Sequence, residues 1–215
     1  MENVKDIDGN SYKTVKIGDQ IWMSENLKVT RYSNGDKIPT IHTDNEWKNL
    51  TTGSYTVHDY LSVYPALYGN LYNWYAVDDS RGFCPEGWHV PSDDEIKELE
   101  MYLGMSQKEA DDTISYRGTN EGSKLAGMAD LWNDSDLVNN SEFGTSGFNA
   151  VPGGYRDGWY GYYKVLAKNP ANFFWSSTED SKQYAWYREI NGNSSKVNRW
   201  CYGKNYGFPV RCVKD

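Results

Sequence analysis

The sequence predicts an α+β fold, and three observations point there. Four short runs near the C-terminus, residues 172–177, 184–190, 196–202 and 208–213, have the length and alternation of strands. One strongly capped helical segment occupies residues 91–104. Between them, residues 129–168 are rich in glycine and asparagine and follow neither period. Helices and strands are segregated along the chain, which is α+β rather than alternating βαβ. Only 38% of the 215 residues are apolar, while 15% are aromatic, so nine Trp and eighteen Tyr must supply much of the core. Each such ring buries about 150–250 Å². The length suits one domain, and no internal repeat or linker divides it.

From the N-terminus, the first element is a β-hairpin in "SYKTVKIGDQIWMSENL", residues 11–27. Val15 and Ile17 alternate with lysines, Gly18-Asp19 supplies the turn, and Ile21 and Met23 continue the alternation. Residues 28–70 carry turn residues with weak periodicity and read mostly as loop. "YGNLYNWYAV", residues 68–77, fits a strand or a short helix, because Tyr72, Trp74 and Tyr75 do not decide the period. In "PSDDEIKELEMYLG", Ser92 is the N-cap and Glu95 its capping-box partner. Asp93, Asp94 and Glu95 lie in the first turn, where the helix dipole favours anions. Ile96, Leu99 and Leu103 line one face, and Gly104 ends the helix. A second short helix is predicted from Ser106, with Glu109 as box partner, and a weaker third over residues 121–128. "NGNSS", residues 191–195, joins two late strands as a hairpin turn.

The net charge is −8 and no Lys/Arg block stands out, which argues against nucleic acid and anionic membrane as partners. No run of about 18 apolar residues occurs, so no membrane insertion is expected. The charged opening "MENVKDIDGN" has no signal-peptide pattern, so the chain is expected either to be cytoplasmic or to have lost a leader. Cys84, Cys201 and Cys212 are too few for a disulfide scaffold and form no C-x-x-C. His42, His58 and His89 are scattered, with neither zinc nor triad spacing. His89 reads as a packed or capping residue, and Asp93 and Asp94 are explained by the helix start. No metal and no cofactor is expected.

The aromatic residues are the informative ones. In "QYAWYREI", strand alternation puts Tyr184, Trp186, Arg188 and Ile190 on one face and Ala185, Tyr187 and Glu189 on the other. Phe173 and Trp175 oppose Phe174 in the same way. The plain reading places Trp175 and Trp186 in the core, beneath the glycine-rich loop. By contrast, "GGYRDGWYGYYK", residues 153–164, sets Tyr155, Arg156, Trp159, Tyr160, Tyr162 and Tyr163 among glycines, the composition of binding hot spots. These six, with Trp186, Arg188 and Asn193 from the late strands and their turn, are the candidate ligand-binding residues. Asn191, Asn198, Ser194 and Ser195 add polar reach nearby.

Several stretches together resemble the Fibrobacter succinogenes major paralogous domain family. They are "DIDGNSYKTVKIGDQIWMSENL", "YGNLYNWYAV", "GFCPEGWHVPSDDEIKEL", "PGGYRDG", "FWSSTE" with "AWYREI", and "YGFPVRCVKD". The resemblance spans about residues 6–215 in the family's order. It implies a C-type lectin-like fold: N- and C-terminal strands side by side, two helices flanking small antiparallel sheets, and a long irregular loop region as the binding end. It also implies a secreted or cell-surface bacterial protein. In its second half the family is similar to formylglycine-generating enzymes and to retroelement-diversified variable proteins, in which variation sits on late strands and turns.

Three expectations follow from that likeness. Sugar-binding C-type lectins hold Ca²⁺ with a Pro-centred triplet and a Trp-Asn-Asp. Here "LWND" lies early and the triplet is missing, so Asn133, Asp134 and Asp136 read as a solvated turn over Trp132. In an oxidising compartment Cys84–Cys212 is the preferred disulfide, tying the segment before the first helix to the last strand, with Cys201–Cys212 as the rival. A formylglycine-generating-type oxidase would instead need Cys201 and Cys212 reduced and reactive. The expected function is therefore a non-catalytic domain that recognises carbohydrate or protein through the long loop and late strands. The alternatives are that oxidase, or a structural domain of a surface assembly.

Overall fold

In a computed structural model, which describes residues 3–40, 43–57, 64–113, 116–164 and 170–215, the hairpin consists of strands Thr14–Ile17 and Gln20–Met23. Gly18 turns it with a left-handed φ of 62°. The register pairs Val15 with Trp22 and Lys16 with Ile21. Directly opposed residues share a face, so Trp22, fully buried, is the core partner of Val15 and Ile17. Ile21 and Met23 alternate as expected, but on the face of Lys16 and Thr14 rather than that of Val15 and Ile17. The large indole offers more apolar area to the core than isoleucine does. The final strand, Val213–Lys214, lies between this hairpin and Trp88–His89, with Val213 paired to both Trp22 and His89.

The late strands form an antiparallel meander of Ala171–Glu179, Tyr184–Asn191 and Val197–Gly203, with Tyr116–Arg117 at its edge. Its two faces feed different parts of the core. Phe173, Trp175, Ala185 and Tyr187 pack with Tyr72, Trp74 and Phe208. Phe174, Ile190 and Val197 pack with Trp22, Ile96, Leu99 and Phe148. Trp175 Nε1 donates to the carbonyl of Tyr72 and Trp74 Nε1 to that of Ser176, both at 2.9 Å, so these two buried indoles have the partners they need. A sheet can bury both faces only when both are covered. Here the helix Asp93–Tyr102 contributes to one face and the helix Trp74–Val77 to the other.

The run predicted as a strand over residues 208–213 is two pieces in different sheets. Gly207–Phe208 pairs with Leu71–Asn73 in a five-stranded sheet, whereas Val213–Lys214 joins the hairpin. Pro209 between them has no N–H to continue a ladder. The undecided stretch 68–77 holds both alternatives: the strand Leu71–Asn73 passes directly into the helix Trp74–Val77. The Asn73 side chain makes the switch, accepting from the backbone N–H of Ala76 at 3.1 Å as an N-cap. Both predicted capping boxes form, Ser92 with Glu95 and Ser106 with Glu109. The third helix is shorter than predicted, Glu121–Leu125, because Ala126 turns extended and bridges to Ala150. Residues 28–70 include the short helix Asp44–Trp47 and the strand Tyr55–Thr56. Cys84 and Cys212 are disulfide-bonded, and Cys201 is free.

Candidate functional site

Within the glycine-rich stretch, Tyr155–Arg156 and Tyr163–Lys164 form a small hairpin, and residues 157–162 make its turn. Asp157, itself buried, organises that turn. Its Oδ1 accepts from the backbone N–H of Trp159 at 2.8 Å and of Tyr160 at 3.0 Å. Its other oxygen stands 3.3 Å from the Lys164 ammonium. The chain is thereby closed on itself, and the side chains at the apex have nowhere to go but outward. Trp159 is 69% exposed, Tyr160 66% and Tyr162 41%. Tyr160 and Tyr162 stack on each other with centroids 5.6 Å apart.

The other three loop candidates point inward. Tyr155 meets Phe173 edge-on at 4.9 Å and is half-buried. Arg156 is fully buried: its Nε donates to the Gly161 carbonyl at 2.7 Å and its Nη1 to Thr56 Oγ1 at 3.0 Å. Its guanidinium lies over the rings of Trp47 and Tyr163. Tyr163 shares a hydrogen bond with Thr56 through its hydroxyl. Composition alone could not separate the two groups. Position relative to the turn does, since paired residues of the hairpin are covered by the neighbouring strands and those at its apex are not.

Beside this turn opens a cleft of about 530 Å³. Its walls come from residues 48–51, Tyr75, Gly158 and Trp159, Gln183 and Tyr184, and residues 203–205. Asn205 Nδ2 donates to the carbonyls of Lys48 at 3.0 Å and Gly158 at 2.6 Å, pinning two walls together. Lys204 is buried, its ammonium 3.2 Å from Glu179 and over the Trp74 ring. Tyr75, Gln183 and Tyr184 were not among the sequence candidates. Segments that distant in sequence meet only through tertiary packing, and no local pattern marks them.

The late-strand candidates divide. Arg188 is fully buried beneath the helix Asp93–Tyr102 and is part of the scaffold, not the surface. It donates to Glu100 at 2.7 Å and to Asp93 at 2.8 Å. Arg117 also reaches Glu100, and Arg199 clamps Asp93, each at 2.7 Å. Burial alone would raise the Asp93 carboxyl, but Arg199 and Arg188 outweigh it and hold the group at about 2. Trp186 is half-buried, its ring covered by the Arg199 guanidinium at 3.9 Å. Asn193 is exposed, in the turn after Tyr184–Asn191. An eight-residue strand at about 3.3 Å per residue separates that turn from the cleft by roughly 23 Å. Asn193 therefore does not join Trp159.

The remaining reactive types are placed as follows. Cys212 is bonded to Cys84, and burial pushes the Cys201 thiol up, with Asp180 adding to the effect. Trp132 is buried with its Nε1 donating to the Gly127 carbonyl, while Asp134 and Asp136 are exposed. His89 lies between Asp215, 2.6 Å from its Nδ1, and Glu95, 2.7 Å from its Nε2. His42 and His58 lie outside the described residues, as do residues 165–168 of the predicted long loop. Among the described residues no helix is long and apolar enough to cross a membrane.

Among curated proteins and among solved structures, no match to the chain is found. The model of the Fibrobacter succinogenes major domain matches residues 15–214, from the first hairpin to the last strand, and the chain belongs to that family.

Proposed function

We propose that the chain is a non-catalytic ligand-binding domain of a secreted or cell-surface bacterial protein, recognising carbohydrate or protein through the turn at residues 157–162 and the adjoining strand ends. One observation carries the reading. Trp159, Tyr160 and Tyr162 are exposed on a turn whose backbone is already tied by Asp157. Large rings held rigidly in solvent lose little entropy on binding, so more of their contact energy appears as affinity. The fold is read as C-type lectin-like on the adjacency of the first hairpin to the last strand, the capped helix against the meander, and the projecting loop. The Cys84–Cys212 disulfide supports an oxidising compartment, where such bonds persist.

A glycan array combined with a pull-down from cell-surface proteins tests the reading. Binding should weaken about tenfold or more, roughly 1.4 kcal/mol, in Trp159→Ala and Tyr160→Ala. Ligand capture that both variants retain in full would remove this turn as the recognition surface.

A further inference from the structure

The cleft beside the turn narrows the chemistry of the ligand. Its volume of about 530 Å³ lies inside the range of roughly 300–1,000 Å³ seen for small-molecule sites. A partner protein would instead need about 800 Å² of matching surface per side, which a concave site of this size does not offer. Three walls carry rings: Tyr75, Trp159 and Tyr184. Between them lie the amides of Asn49, Gln183 and Asn205; that of Gln183 can both donate to and accept from a hydroxyl, while Asn49 and Asn205, whose Nδ2 groups donate within the protein, present their amide oxygens as acceptors.

Charge is the more selective feature. The chain carries a net −8, yet no Asp or Glu is among the described residues lining the cleft. A cationic ligand would find no counter-ion there. A bridging Ca²⁺ would find no carboxylate, where such an ion takes about 6–8 oxygens. Of the two lysines, Lys204 is already paired with Glu179, and Lys48 stands in solvent, where salt screens it. An anionic ligand therefore gains little.

Building on the recognition reading above, we propose that this cleft takes a neutral oligosaccharide without a bridging metal ion. Pyranose rings present apolar C–H faces that stack on Trp159, Tyr75 and Tyr184. Their hydroxyls, each both donor and acceptor, meet the Gln183 amide and the amide oxygens of Asn49 and Asn205. A linear chain lies along the cleft, with Trp159 at its rim contacting one sugar unit.

The test is calorimetric titration of the full chain with cellohexaose, xylohexaose, mannohexaose and a hexameric uronate. At least one neutral hexasaccharide should bind, with affinity unchanged by EDTA. Binding should weaken about tenfold in Trp159→Ala and in Tyr184→Ala. Trp200→Ala, an exposed ring outside the cleft, should leave affinity unchanged. Circular dichroism of each variant excludes misfolding, and both rings chosen are exposed enough for truncation to spare the core. Binding only of the uronate, loss of binding in EDTA, or full affinity in Trp159→Ala would overturn the proposal. Failure of all four sugars would overturn it too. In that case, a protein captured from cell-surface material and lost in Trp159→Ala would leave the recognition reading standing without the sugar.

Discussion

Arg188 and Trp159 show how differently two side chains of the same hot-spot composition can be used. Arg188 is held by carboxylates under a helix, while Trp159 is 69% exposed at the edge of a cleft. Removing Arg188 leaves Glu100 buried with Arg117 as its remaining ion-pair partner among the described residues, and breaking a buried pair in this way costs about 3–5 kcal/mol. Arg188→Ala should therefore lower the urea midpoint sharply, and a loss under about 1 kcal/mol would contradict the buried network. Asp93 makes the same network sensitive to acid. Its folded carboxyl lies at about 2 against an ordinary 3.8, so its contribution is present above the ordinary value and fades as pH falls through the folded one. That is about 2 kcal/mol, and Asp93→Asn should flatten the acid limb of a stability profile. His89 carries the opposite sign. Burial works against its charged form, but Asp215 and Glu95 outweigh it and raise the imidazole above its ordinary 6.5. Its stabilisation is complete below that value and is lost as pH rises through the raised one. NMR titration of the His89 ring should show the raised value, and Asp215→Asn should lower it.

Among the elements, the exposed turn at residues 157–162 depends on one carboxylate and one glycine. Asp157 holds two backbone N–H groups at the apex. Asp157→Ala should speed hydrogen exchange at Trp159 and Tyr160 while leaving the meander amides protected. Unchanged exchange at those two amides would mean that the turn is held by something else. Gly161 has a φ of 84°, and a Cβ there would strike the Asp44 carbonyl. The loop is thus seated against the short helix Asp44–Trp47 by a close backbone approach. The helix Asp93–Tyr102 shows the contrasting case of an element specified locally. Ser92→Ala removes the half of its capping box in which Oγ accepts from the Glu95 N–H, leaves the Ser92 backbone N–H to Glu95 half in place, and should cost about 1 kcal/mol in thermal unfolding. This helix, the first hairpin and the three meander strands were legible because each repeats a period or carries a cap within its own residues. The short strand Tyr55–Thr56 was not, and Leu71–Asn73 stayed undecided between strand and helix, since two or three residues carry no period and form through their partners.

For the whole molecule, the Cys84–Cys212 bond closes 128 residues of sequence. Joining points so far apart restricts the unfolded chain strongly, and removal of a native disulfide typically costs about 2–5 kcal/mol. Cys84→Ala with Cys212→Ala should lower stability by that amount. A pair of variants as stable as the parent would show that the core needs no such tie. Thiol labelling of the folded parent chain should be slow, because Cys201 is part-buried with its thiol pushed up and the other two cysteines are bonded. Rapid labelling at Cys201 would favour a catalytic reading.

What the residues determined by themselves was local and periodic: the α+β class, the capped helices, the hairpin with its Gly18 turn, and a ring-rich loop between glycines. What only tertiary structure decided was which rings face water. Trp175 and Trp159 are the same residue type, yet one is sealed between Tyr72 and Phe208 and the other is 69% exposed. Exposure depends on which neighbouring surface arrives to cover a side chain. For Trp175 part of that surface, at Tyr72, comes from 103 residues away along the chain, and no rule of local spacing carries that information.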